Sequence, residues 1–193
     1  MRSHSFLVAT AVLLVSTAAS AQSKPPVFYG TPIADADIAP LDIDIRTDDG
    51  KGLPPGKGSV AEGEKLFVEK CESCHGEKAK GGSMFGTMVG GIGSFTTDKR
   101  ILTPGSMYPY APILFDYTRR AMPMTAPQSL TNDQVYALSA YILHLNGLVP
   151  ADAVMDAASL VKVEMPNRNG FINDDRPDVM ATRCMSDCKP IGP

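Results

Sequence analysis

The chain has 193 residues, with 18 lysines and arginines against 21 aspartates and glutamates, a formal charge of -3 and 44% apolar residues. That length suits one domain with a sizeable core. The charge balance excludes the basic stripe of a nucleic-acid-binding surface.

Residues 1–21 place Arg2 before an apolar stretch from Phe6 to Val15, followed by Ala19-Ser20-Ala21. This pattern predicts a secretory signal cleaved before Gln22. The stretch is too short to span a bilayer as a helix, and no later segment reads as a membrane helix. Cleaving 21 residues from 193 leaves a mature chain of 172. Export implies an oxidising compartment, and a bacterial periplasm is the expected location.

Residues 22–58 are rich in proline, glycine and aspartate, as in Leu53-Pro54-Pro55-Gly56, and predict an arm with little regular structure. The arm either stays loose or covers the domain through Phe28, Tyr29, Ile33, Leu41, Ile43 and Ile45. Alternation over Asp42 to Ile45 permits a short strand.

Ser59 and Glu62 are spaced as a capping box, so a helix is expected to start there. Gly63, Phe67 and Cys71 recur at four-residue spacing, and one helical face therefore runs into Cys71-Glu72-Ser73-Cys74-His75. In C-x-x-C-H, two thiols can bond to the vinyl groups of a haem while the histidine ligates its iron. A zinc site would need a second ligand cluster, and a thioredoxin-like thiol pair would need a βαβ setting. Neither accompanies this motif, so one covalent haem c per chain is the expected cofactor, with Cys71, Cys74 and His75 holding it.

Gly76 to Gly93 reads as a loop passing close to a flat cofactor. Tyr108, Tyr110, Phe115 and Tyr117 supply aromatic area for its wall. A short helix is predicted from Pro112 through Ala121, stopping before Met122-Pro123 because the residue before proline is pushed out of helical space. Candidates for a second axial ligand are His144, Met84, Met88, Met107, Met122 and Met124. Met122 is preferred, since prolines 123 and 127 stiffen its loop. Methionine is often only core filler. Arg119 and Arg120 precede that loop, and either a haem propionate or solvent could receive them.

Thr131 and Gln134 form a second capping box, opening a helix over 131–146 with Ala137, Leu138, Tyr141, Ile142 and Leu145 as its apolar face. Gly63 and Phe67 are expected to cross against Ala137 and Tyr141. His144 in this helix reads as a surface or capping residue. The expected fold is all-α, a monohaem cytochrome c arrangement over 59–148 with residues 149–193 as an extension packing on it. Cys184 and Cys188 in that extension, four apart, fall within disulfide range on a helical turn, and an oxidising compartment favours the bond.

Several runs together carry a family resemblance. They include Gly52-Leu53-Pro54-Pro55-Gly56-Lys57-Gly58-Ser59, Phe115-Asp116-Tyr117-Thr118-Arg119-Arg120-Ala121-Met122-Pro123 and Met165-Pro166-Asn167-Arg168-Asn169-Gly170-Phe171. The chain resembles, over roughly residues 40 to 190, the c-type cytochrome component of bacterial sulfur-compound dehydrogenases, especially a haem domain of the sulfane dehydrogenase cytochrome subunit. The resemblance implies haem attachment at Cys71, Cys74 and His75 and an axial role for Met122. It also implies an electron acceptor, not itself catalytic, for a molybdenum enzyme oxidising sulfite, thiosulfate or sulfane sulfur, passing electrons to a downstream cytochrome or oxidase. The chain departs from the family at Tyr108, often tryptophan there, at Met124, often a large aromatic, and in having one C-x-x-C-H motif instead of two. A quinoprotein alcohol dehydrogenase as donor, or a haem enzyme or gas sensor with an exchangeable distal site, are the alternatives.

The tail pairing is open to direct measurement. Alkylation of the native protein followed by non-reducing mass analysis is expected to leave Cys184 and Cys188 unmodified; two alkylated thiols would exclude the disulfide.

Overall fold

A computed structural model of the chain describes residues 30–172. Residues up to Leu41 form one unit and those from Asp42 a second. In the first, the one-turn helix α1 (Asp35–Ile38) buries no residue, and Ile33, Ile38 and Leu41 are exposed. A single turn has too little apolar face to hide three such side chains. Phe28, Tyr29, the signal segment and both tail cysteines lie outside the described residues.

The second unit runs, in chain order, through β1 (Lys57–Ser59), α2 (Val60–Lys70), α3 (Glu72–His75), a 3-10 turn (Glu77–Ala79), α4 (Pro104–Met107), α5 (Pro112–Ala121), α6 (Asn132–Leu145), β2 (Val154–Asp156) and α7 (Ala157–Leu160). It is mostly helical, as expected, with one addition. β1 and β2 pair antiparallel, Gly58 opposite Met155, in a two-stranded ladder. Three-residue strands carry too little alternation to be read from sequence.

Both capping boxes form. The Ser59 hydroxyl accepts from Glu62 N–H while the Glu62 carboxylate accepts from Ser59 N–H, and Thr131 and Gln134 do the same for α6. Two further boxes, Thr103 with Ser106 and Asp156 with Ser159, open α4 and α7. These one-turn helices lack the apolar repeat that marks longer ones, although their caps are legible. Asp42 to Ile45 forms no strand. The chain instead closes a turn in which Arg46 N–H donates to the Lys51 carbonyl at 2.8 Å and the Arg46 guanidinium pairs with Asp49.

Helix α6 is the axle of this unit. Every residue from Val135 to Leu143 is buried, more than the one face expected, because neighbours pack on several sides of it. Phe67 of α2 meets Tyr141 at 5.5 Å between ring centroids, and Phe115 of α5 meets Tyr136 at 4.4 Å. Tyr136 reaches past the core to donate to the Pro54 carbonyl at 2.8 Å, tying the arm to α6. Residues beyond α6 add Met155, Leu160, Val163 and Met165 to the same core. Among the described residues no helix is long and apolar enough to cross a membrane.

The expected crossing of α2 and α6 is a backbone-level contact. A Cβ on Gly63 would collide with the Ala137 carbonyl and come within 2.8 Å of the Tyr141 Cβ. Glycine lowers helix propensity by about 1 kcal/mol relative to alanine, so the approach is retained against that preference. Gly63→Leu is therefore expected to lower stability by about 1–3 kcal/mol through overpacking, despite its better propensity. Thermal denaturation checks this, and an unchanged midpoint would mean that the helices do not meet there.

Candidate functional site

The site grows out of the end of α2. At Cys71 the backbone leaves helical space (φ -126, ψ -34), then re-enters it for the single turn of α3. The N–H groups of Cys74 and His75 both bond back to the Cys71 carbonyl, at 3.1 and 3.0 Å. The motif is thereby wound into one turn rather than laid out straight. Gly76 ends it with φ 75, where a Cβ would run into the Gly81 carbonyl, and the chain doubles back so that Gly81 N–H bonds to His75 O at 2.9 Å.

Cys71, Cys74 and His75 open onto a cavity of about 390 Å³. Leu138 and Ile142 of α6, Leu114 of α5 and Phe67 of α2 give it apolar walls. Cys71 and Cys74 form no disulfide with each other. Burial pushes the Cys71 thiol up to about 11, which keeps it protonated and makes it a poor thiol–disulfide exchange nucleophile. Burial also lowers the His75 pKa, favouring the neutral imidazole that binds metals. His75 Nδ1 is buried with no hydrogen-bond partner, so the fold alone does not account for this imidazole. The Phe85 ring stacks on it with centroids 5.2 Å apart. Among the described residues no group of three or more His, Cys, Asp and Glu is arranged to hold a metal ion, as a zinc site would require.

Met122 caps the C-terminus of α5 in extended conformation (φ -117, ψ 148), its N–H held by the Thr118 carbonyl at 3.1 Å, and it lines the cavity. Met84, Met88, Met107 and Met124 line it too. The donor set of two thiols, an imidazole and thioethers, in an apolar cavity, fits a haem held covalently and ligated by the protein. Tyr108 also lines the cavity. Tyr110 does not; the Arg168 guanidinium lies 5.1 Å from its ring centroid.

Neither Arg119 nor Arg120 lines the cavity. Arg120 bonds to Asp116 at 2.8 Å and to Asp44 and the Ile43 carbonyl at 3.4 Å, which links α5 to the arm. A carboxylate one helical turn away captures this guanidinium. His144 points elsewhere, with Nδ1 3.1 Å from the Val149 carbonyl.

Sequence reasoning did not find the polar frame of the cavity. Thr103, which lines it, donates to Gly90 O at 2.7 Å. Asn146 donates to Met88 O and Ile142 O at 3.1 and 2.9 Å and accepts from Gly90 N–H at 3.1 Å. The Asn146-Gly147 pair reads as a helix stop, and only the fold reveals that its side chain also holds the loop over residues 88–90.

Comparison with known proteins agrees with this geometry. The family model described as Cytochrome c matches residues 60–146. A chain in the crystal structure of the sulfane dehydrogenase SoxCD from Paracoccus pantotrophus is 37% identical, over 86% of this chain and 84% of that one, with a TM-score of 0.72. A relative this similar over most of both lengths, with the C-x-x-C-H turn opening on an apolar cavity, shows that this chain belongs to the cytochrome c family.

Proposed function

We propose that this protein carries single electrons in the periplasm, accepting them from a molybdenum-dependent dehydrogenase of sulfur compounds and passing them to a downstream cytochrome or oxidase. One haem c sits in the cavity, bound through thioethers at Cys71 and Cys74 and ligated by His75 and Met122. The observation that carries this reading is the convergence of the motif turn and Met122 on one apolar cavity.

Bound there, haem supplies a one-electron iron couple. The chain's own residues determine how that couple behaves. Cys71 and Cys74 fix the group to one turn, so it cannot leave during turnover. His75 presents a neutral imidazole. Met122 offers a thioether, which raises reduction potential relative to a second histidine. Its place between the end of α5 and Pro123 limits how far it can swing, which supports it as the second ligand. Phe67, Leu114, Leu138 and Ile142 keep water from the cavity's inner side, which also favours the reduced state. An electron-transfer role needs no catalytic residue, and none is assigned.

The donor reading rests on the SoxCD likeness, since that protein is a sulfane dehydrogenase. The periplasmic reading rests on the signal pattern of residues 1–21. Docking between redox partners is commonly weak and small in area.

Haem staining after denaturing electrophoresis is expected for the wild type and lost in the Cys71→Ser, Cys74→Ser double variant. The oxidised wild type is expected to show the far-red charge-transfer band of methionine-ligated haem, and Met122→Ala to lose it. A wild type without the band that binds carbon monoxide readily once reduced would instead indicate an open distal site. For the donor, rapid reduction by a purified sulfur-compound dehydrogenase with substrate is expected. Faster reduction by a quinoprotein alcohol dehydrogenase would reassign the partner.

A further inference from the structure

The segment after α7 lies beyond the matched cytochrome c region, yet it reaches back to the cavity wall. Met165 is 3% exposed and anchors it in the core. The chain then turns, Arg168 N–H bonding to Met165 O and Gly170 N–H to Asn167 O, both at 3.0 Å. On this turn the Asn167 amide is buried and donates to the Met107 carbonyl at 2.8 Å. Its neighbour Arg168 is exposed and places its guanidinium over the Tyr110 ring. The two contacts bracket Tyr108, which lines the cavity from the end of α4. Tyr108 is half-buried, and no hydrogen bond from its own side chain to the described residues holds it in place. Its ring packs against the core, and the two contacts hold the residues on either side of it.

Resting on the haem reading above, we propose that Asn167 and Arg168 are positioning residues, a strap that fixes Tyr108 against the haem and so helps to set its reduction potential. The chemistry is that of a lid on a dielectric boundary. A buried amide bonded to a backbone carbonyl resists displacement, because breaking it leaves two polar groups unpaired. The guanidinium adds a cation–π contact that holds the Tyr110 ring from the solvent side. With Met107 and Tyr110 both held, Tyr108 has no slack through which to swing out and admit water. Water at the haem would favour the oxidised, more positively charged state, and solvent exposure is one of the levers that set the potential of such centres.

The test uses the full-length haem-loaded protein and compares Asn167→Ala, Arg168→Ala, Tyr108→Ala and the two doubles containing Tyr108→Ala. Redox titration, the far-red band and the thermal midpoint are read on each. Asn167→Ala is expected to lower the potential, seen as a several-fold drop in the ratio of reduced to oxidised protein at a fixed ambient potential, with the far-red band retained. Arg168→Ala is expected to shift it less in the same direction. Both shifts should vanish in the Tyr108→Ala background, since the strap acts through that ring. A merely structural role would instead lower the thermal midpoint in both backgrounds and leave the potential unmoved, which would overturn the proposal. If Asn167→Ala fails to mature, Arg168→Ala at its exposed position decides alone, and an unshifted potential there overturns the strap. A wild type that stains for no covalent haem overturns the haem reading and this one together. A haem-loaded wild type whose potential ignores the strap overturns only this one.

Discussion

The close approach of Gly63 to the Ala137 backbone fixes the geometry on which the rest depends. Because no side chain separates the helices at that point, α2 and α6 meet at backbone distance, and Phe67 and Tyr141 fill the space one turn further along. The same stretch of α6 receives β1, where a Cβ on Gly58 would come within 2.6 Å of the Ala137 Cα. Two glycines from one short segment thus seat that segment on one alanine. The motif turn starts where α2 ends, so its position relative to Leu138 and Ile142 follows from this crossing.

A second kind of constraint governs the other walls. They are built from irregular chain, whose backbone groups cannot be satisfied by helix or sheet ladders and must find partners elsewhere. Small polar side chains supply them. The Thr87 hydroxyl donates to Val89 O at 3.0 Å, with Ala79 O 3.3 Å away, Thr103 holds Gly90 O, and Asn146 holds both Met88 O and Gly90 N–H. Ser106 donates to Ile101 O at 2.6 Å. Each such bond contributes only about 1 kcal/mol net, but leaving a buried group unpaired costs more, so the loops are held in one arrangement. A one-electron centre benefits from that rigidity, since a wall that does not move between oxidation states limits the reorganisation its couple requires.

The long elements were legible because their signals are redundant. For α2 and α6, a capping box and an apolar repeat coincide, joined in α6 by the Asn146-Gly147 stop, and Ser59, Glu62, Thr131 and Gln134 bond as their spacing implies. The break of α5 before Met122-Pro123 follows from steric exclusion by the proline ring. The C-x-x-C-H turn was legible because its spacing is a chemical requirement of thioether attachment. The ladder of β1 and β2 was not, since its three residues per strand owe their conformation to α6 and not to their own pattern. The link from Arg120 to the arm was equally hidden, because a guanidinium goes to whichever acceptors the fold brings near, and Asp44 joins Asp116 there.

By itself the sequence determined a C-x-x-C-H motif with the chemistry for haem attachment and the helices around it: where α2 begins, where α5 and α6 begin and end, and that glycine at 63 lets two helices touch. These are local or short-range properties, carried by residue type and spacing within one or two turns. Only the tertiary structure decided which distant groups complete the site. Asn146 and Asn167 meet backbone atoms 58 and 60 residues away, and the segment following α7 returns to the wall beside Tyr108. A hydrogen bond across that separation leaves no periodic trace in the chain, because its partner is a carbonyl that every residue possesses and only its position in space makes it the partner.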